Sequence, residues 1–130
     1  MLTQTAVYAV RAMVFIASKN DGKPVLAQTI ADKMRIPKNF LSKILLRLVR
    51  EGFIHSMRGT NGGFTLAKKA KEIRLRDIVS PFMDVDNYKT CFLGLDECMN
   101  NGLCKIHKQW VPILSRFEKL LDKTTIDQVF

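Results

Sequence analysis

Residues 53–67 read Phe53-Ile54-His55-Ser56-Met57-Arg58-Gly59-Thr60-Asn61-Gly62-Gly63-Phe64-Thr65-Leu66-Ala67. Two short apolar runs, 53–57 and 64–67, flank a tip of glycines and small polar residues. That pattern predicts a β-hairpin whose tip is longer than a two-residue turn. The tip carries a single charge, Arg58, among neighbours too small to block its approach to another surface.

Working outward, the chain before this hairpin has helical periodicity. Residues 38–50 place Phe40, Leu41, Ile44, Leu45 and Leu48 on one side and Lys43, Arg47 and Arg50 on the other, and Gly52 stops the helix. Ile36-Pro37 marks a turn. Residues 25–34 form a shorter helix with Leu26, Ile30 and Met34 four apart, and residues 2–19 an apolar helix broken at Asp21-Gly22. Helix, helix, turn, helix and hairpin is the order of a winged helix-turn-helix. The expected fold is therefore mainly α with a small β-hairpin wing.

After the hairpin, residues 73–83 predict one more short helix ending near Pro81. From His107 to Leu121 the apolar residues Trp110, Leu114, Phe117 and Leu121 recur at intervals of 4, 3 and 4, the seam of a helix packed along another helix. Pro112 lies inside that seam, which predicts a kink or a helix that starts late. Three parts are expected: a winged helix-turn-helix DNA-binding domain over 1–83, a cysteine-bearing loop over 84–104, and a dimerisation helix with its tail over 105–130. The bulky seam would then be buried between two copies of the chain.

Charge points to the partner. Of a net +9, residues 1–80 hold 15 Lys and Arg against 5 Asp and Glu, a balance of +10, while residues 81–130 hold 6 against 7. So uneven a distribution favours nucleic acid over a merely solvated basic face. In a helix-turn-helix the second helix enters the major groove with its N-terminal side chains at base edges. Lys38, Asn39, Ser42 and Lys43 are the DNA-binding candidates there. Asn pairs with adenine, Lys donates to guanine, and Ser discriminates little. Arg58 at the wing tip suits a narrow minor groove, where the negative potential is strongest. Thr60 and Asn61, with the backbone amides near them, suit phosphate.

A second pattern is chemical. The three cysteines of the chain and a histidine fall within seventeen residues as Cys91-x6-Cys98-x5-Cys104-x2-His107. Three thiolates and an imidazole in a short segment suit an iron–sulfur cluster or tetrahedral zinc. Zinc ligands usually come in pairs two to four residues apart, which intervals of six and five do not match. Buried structural cysteines and metal-free thiol chemistry remain the alternatives, although Cys98 beside Asp96 and Glu97 is poorly placed for a lowered pKa. An odd cysteine count does not suit a disulfide framework.

Tyr8-Ala9-Val10, the helix from Phe40-Leu41 to Leu48, and above all Arg58-Gly59-x-x-Gly62-Gly63-Phe64-x-Leu66 resemble the Rrf-two family of bacterial transcriptional regulators. Leu121-Asp122-Lys123-Thr124-Thr125-Ile126 is similar to the end of that family's dimerisation helix. The resemblance covers nearly the whole chain. It implies a homodimeric winged-helix regulator that binds an inverted-repeat operator in double-stranded DNA and whose affinity responds to an iron–sulfur cluster. In one group of members three cysteines and a following histidine hold a 2Fe–2S cluster, and the matching positions are Cys91, Cys98, Cys104 and His107. In another group an acidic side chain from the partner's first helix replaces the histidine. No Asp or Glu precedes Asp21 and Val7 stands at that place, so the histidine set is the one implied. The first cysteine interval is one residue longer than in those members, which leaves 4Fe–4S or zinc open, and Ser42 stands where they carry a glutamate.

No nucleophile–base pair, paired carboxylate or phosphate-cradling loop suggests an enzyme; Gly59-x-x-Gly62-Gly63 lacks the Lys-Ser/Thr pair and following helix of a phosphate loop. No apolar run reaches membrane-spanning length, and Arg11 interrupts the apolar N-terminus, so neither a membrane partner nor a signal peptide is expected and the expected location is cytoplasmic. The competing reading is a winged-helix module for a protein or RNA partner, carrying a structural Cys3His zinc site.

Overall fold

The computed structural model describes residues 1–19, 21–86, 91–95 and 104–129. In chain order these form α1 Gln4–Ala17, α2 Ala27–Met34, α3 Lys38–Arg50, β1 Ile54–Met57, β2 Gly63–Leu66, α4 Leu75–Val79 and α5 Lys105–Lys123, with 3-10 turns at Ala70–Glu72 and Ile126–Gln128. The architecture is a mainly helical winged helix-turn-helix followed by a long C-terminal helix.

Helix α1 is the spine. Thr3 Oγ1 accepts the Ala6 N–H at 3.1 Å and caps its first turn. Ala6, Ala9 and Ala12 are completely buried, and their methyl side chains let α3 and α4 approach closely. Helix α2 ends at Arg35 in a left-handed conformation, φ 54°. Pro37 then fixes the entry to α3, its carbonyl accepting from Leu41 at 3.0 Å. Leu41, Ile44, Leu45 and Leu48 are each 2% exposed or less. Burying side chains of this size contributes about 1.5–3 kcal/mol apiece. Gly52, at φ 81°, reverses the chain into β1.

The wing pairs Ile54 with Leu66 and Met57 with Gly63 in an antiparallel register. A third extended segment comes from elsewhere. Val25, expected to begin α2, instead exchanges two hydrogen bonds with Phe64, at 2.9 and 2.8 Å, in an isolated antiparallel bridge. Pro24 before it disfavours a helical start, and a β-branched residue suits the extended backbone. A Cβ on Gly63 would lie 2.6 Å from the Val25 carbonyl oxygen, so only glycine admits this contact.

Two other expectations are corrected and a third is narrowed. Phe40 is 51% exposed instead of core, tilted toward Tyr8 with ring centroids 6.4 Å apart. Helix α4 covers five residues of the expected 73–83, because Ile73 and Leu75 bond the chain end: Ile126 N–H to the Ile73 carbonyl and Leu75 N–H to the Thr124 carbonyl, both 2.9 Å. Of the two outcomes expected at Pro112, a kink or a late start, the late start is not seen, since α5 runs from Lys105 through Pro112 to Lys123.

The seam of α5 is also divided differently from expectation. Leu114 and Leu121 are buried at 5% and 2% within this same chain, Leu121 in a cluster with Ala6, Val79 and Val85. Trp110 and Phe117 are half-buried. Three bulky residues left open lie along the adjoining line Ile106, Ile113 and Leu120, seven residues apart, at 39%, 51% and 53%, while Val111, 40% exposed, lies on another side. A repeat of seven keeps side chains on one strip of a helix, so this strip borders the buried one.

Candidate nucleic-acid interface and cysteine segment

The four side chains expected at base edges sit on the outer side of α3. Lys38, Asn39, Ser42 and Lys43 are all exposed. Two polar groups on this helix already have partners within it. Ser42 Oγ donates to the Lys38 carbonyl at 3.0 Å, and Arg47 Nε is paired with the Glu51 carboxylate at 2.8 Å. Sequence reading missed Leu46, which is 52% exposed in the middle of the same face.

Arg58 is exposed as the first residue beyond β1. The tip closes by a hydrogen bond from Gly62 N–H to the Gly59 carbonyl at 2.9 Å, with Gly59 at φ 100°. A Cβ on Gly62 would stand 2.5 Å from the Met57 carbonyl oxygen. The tip is therefore a tight loop that presents Arg58, Thr60 and Asn61 outward. Lys23, Pro24, Leu26, Thr60, Asn61 and Gly62 line a groove of about 500 Å³ beside it. Lys23 was not among the sequence candidates; its link to the wing is the Val25–Phe64 bridge, which periodicity does not reveal. His55 is exposed on β1 opposite Thr65, away from any second ligand-type residue of its strand.

Cys91 and Cys104 are both half-buried. Cys104 occupies the N-cap of α5 and half-buried His107 lies on its first turn. A turn closed by Gly94 N–H to the Cys91 carbonyl at 3.0 Å follows the first cysteine. Phe92 meets Trp110 edge-on at 5.3 Å, which fastens residues 91–95 against α5. Cys98 lies outside the described residues. Among the described residues no three metal-ligating side chains are assembled. The donor chemistry of two thiols and an imidazole near one helix start nevertheless suits a soft metal centre. The Trp110 indole Nε1 beside them is buried and, among the described residues, has no hydrogen-bond partner, a donor that an added acceptor could satisfy.

Arg76 connects α4 with α5 and with the chain before the cysteine segment. Its guanidinium pairs with Asp122 near the end of α5 and with Asp86 at 3.0 Å, just before the cysteine segment. The hydrogen bond that Arg76 donates to Asp122 raises its pKa further, against the opposing effect of burial. No helix among the described residues is long and apolar enough to cross a membrane.

Comparison with known proteins agrees with this geometry. The Rrf2 family, described as "Iron-dependent Transcriptional regulator", matches residues 2–130. The chain is 30% identical over 129 residues to the HTH-type transcriptional regulator NsrR of Bacillus licheniformis, covering 98% of this chain and 90% of that protein. It is 29% identical over 128 residues to the HTH-type transcriptional regulator IscR of Pectobacterium atrosepticum, covering 98% and 77%. Among solved structures, CymR, the global cysteine regulator of B. subtilis, superposes with a TM-score of 0.77 at 20% identity over 99% of this chain and 95% of that one, a likeness of fold.

Proposed function

Because the chain belongs to the Rrf2 family of transcriptional regulators, which are DNA-binding proteins and not enzymes, we propose that it acts as a homodimer. In this reading its affinity for an inverted-repeat operator is set by an iron–sulfur cluster held by Cys91, Cys98, Cys104 and His107. The observation that carries the reading is the position of Cys104 and His107 at the start of α5. The same helix opens the Ile106, Ile113 and Leu120 strip for a second copy. When bound, the cluster supplies redox and ligand-exchange chemistry, and its potential depends on ligand type and hydrogen bonding.

The chain's own residues do the rest. Cys104 and His107 at the start of α5, with Cys91 on the segment that Phe92 packs against Trp110, would tie the cysteine segment to the dimer helix. Arg76 then ties the opposite end of that helix to α4 and to Asp86. A change at the segment therefore has a covalent and electrostatic path to the spacing of the two heads. With recognition helices about 34 Å apart, Asn39 and Lys43 meet bases in successive major grooves, and Arg58 enters the minor groove.

The absorption spectrum of anaerobically purified protein is the test. A brown species with thiolate-to-iron bands, lost in Cys91→Ala, Cys98→Ala and Cys104→Ala and labile in His107→Ala, supports the ligand set. A colourless zinc-containing protein would end the cluster reading and leave the DNA reading in place. The relatives are transcriptional regulators and do not favour a protein- or RNA-interaction module.

A further inference from the structure

The outermost line of α3 runs Asn39, Lys43, Leu46 and Arg50, at intervals of 4, 3 and 4, opposite the buried line Leu41, Ile44, Leu45 and Leu48. Among the described residues Leu46 belongs to no apolar cluster, and it stands 52% exposed among cations. A single exposed leucine is unremarkable on most surfaces. This one occupies the centre of the face that the basic head turns toward DNA. Its polar neighbours are partly committed, Ser42 to the Lys38 carbonyl and Arg47 to Glu51. Asn39, Lys43, Leu46 and, at the helix end, Arg50 are therefore the side chains this line offers to a major groove.

Base edges in that groove present hydrogen-bonding atoms at every pair and one apolar group, the C5 methyl of thymine. A leucine there has nothing else to recognise. Leu46 lies seven residues beyond Asn39, about 10 Å along the helix axis. That equals roughly three base-pair steps of 3.4 Å. We infer that Leu46 is a specificity-determining residue that reads a thymine methyl in each half-site, about three base pairs from the base Asn39 reads. The inference rests on the DNA reading above, and the strongly positive head supplies the charge complementarity that selects DNA as the occupant.

The test begins with selection of duplexes from a randomised pool by the full-length wild-type chain and by Leu46→Ala. Single thymines of the enriched duplex are then replaced by deoxyuridine, which removes only the methyl. One thymine per half-site should be sensitive, uracil weakening wild-type binding about fourfold, the worth of one buried methyl. Leu46→Ala should bind the thymine and uracil duplexes equally and lose the thymine preference at that position in its own selected pool, while Leu46→Met keeps it. Alanine is the better helix former, so the variant keeps its fold, which a thermal melt checks. If no thymine is sensitive, or sensitivity persists unchanged in Leu46→Ala, the inference is wrong. A shift of particle mass in Leu46→Ala would equally overturn it, because the leucine would then serve chain association. Failure of the wild-type chain to enrich any sequence would bring down the DNA reading and this inference with it.

Discussion

Helices α1 and α5 both carry apolar stripes, yet they place them in opposite circumstances. In α1, Ala6, Ala9, Ala12, Met13, Phe15, Ile16 and Ala17 are buried by the rest of the chain. In the longer α5, Leu114 and Leu121 are the residues buried to that degree. Leu121 fastens the C-terminal end to Ala6 and Val79, and Trp110 meets Phe92 near the other end. Between these anchors Ile113 and Leu120 face outward. A helix that satisfies itself within one chain builds a core. A helix left half-covered near Cys104 and His107 keeps an apolar strip open, which is the feature the proposed dimer and its cluster use.

The sharpest way to break this contrast is to truncate one residue on each helix. Met13→Ala removes a fully buried side chain and should lower unfolding free energy by about 2–5 kcal/mol. Ile113→Ala, assayed by urea denaturation at concentrations where the chain is monomeric, should cost under about 1 kcal/mol, as exposed sites do. Equal costs would mean that α5 is as much core as α1. Placing charge on the open strip, with Ile113→Glu and Leu120→Glu together, should shift the light-scattering mass at micromolar concentration from twice the 14.8 kDa chain to the single chain. An unchanged mass would refute the strip as the dimer seam.

The next contrast sets the wing against the cysteine segment. Arg58→Ala should weaken operator binding by about 1–3 kcal/mol whether or not the cysteines hold a cluster, since its contact is made by the head. Cys104→Ala should differ from wild type only under conditions that load the site, because the variant cannot retain the cluster. Gel shifts at two salt concentrations would separate these, with affinity in both proteins falling steeply as salt rises. If Arg58→Ala lost affinity in one cluster state alone, head and segment would not be separable.

What the sequence made legible follows the same division. The wing and α3 could be read because their signals are local: Gly59, Gly62 and Gly63 mark a tip, and Gly52 ends a helix one turn after Leu48. Val25 was misplaced because its partner Phe64 is 39 residues away, and a bridge across that distance leaves no periodic trace. The seam was half right for a related reason. Trp110, Leu114, Phe117 and Leu121 and the strip Ile106, Ile113 and Leu120 occupy one continuous arc of α5, and periodicity alone cannot say which edge the chain covers itself. Phe40 and Leu46 show the reverse error, an apolar residue assumed inside or overlooked because α3 had core residues enough. The spacing of the cysteines and His107 suggested a donor set, and Cys98 lies outside the described residues.

The smallest expected effect concerns α4, which lies between the two contrasted helices. Asp77 accepts the Arg74 N–H at 2.9 Å and pairs with the Arg74 guanidinium at 3.1 Å, closing a capping box on the short helix. Burial pushes the Asp77 carboxyl up, but the hydrogen bonds and charge of Arg74 outweigh it and hold the pKa below its ordinary value. A carboxylate with a depressed folded-state pKa contributes stability that is fully present above the unfolded value, about 4. That contribution is lost as pH falls through the lower, folded value. Asp77→Asn should therefore cost on the order of 1 kcal/mol at pH 7, the usual worth of a capping interaction at a partly exposed site. The gap between the two urea midpoints should narrow as pH is lowered from 5 toward about 3, because the wild-type carboxylate is then being neutralised. A gap that stayed constant over that range would show that Asp77 supports α4 through its shape and hydrogen bonds alone, and that its charge adds nothing where the head meets α5.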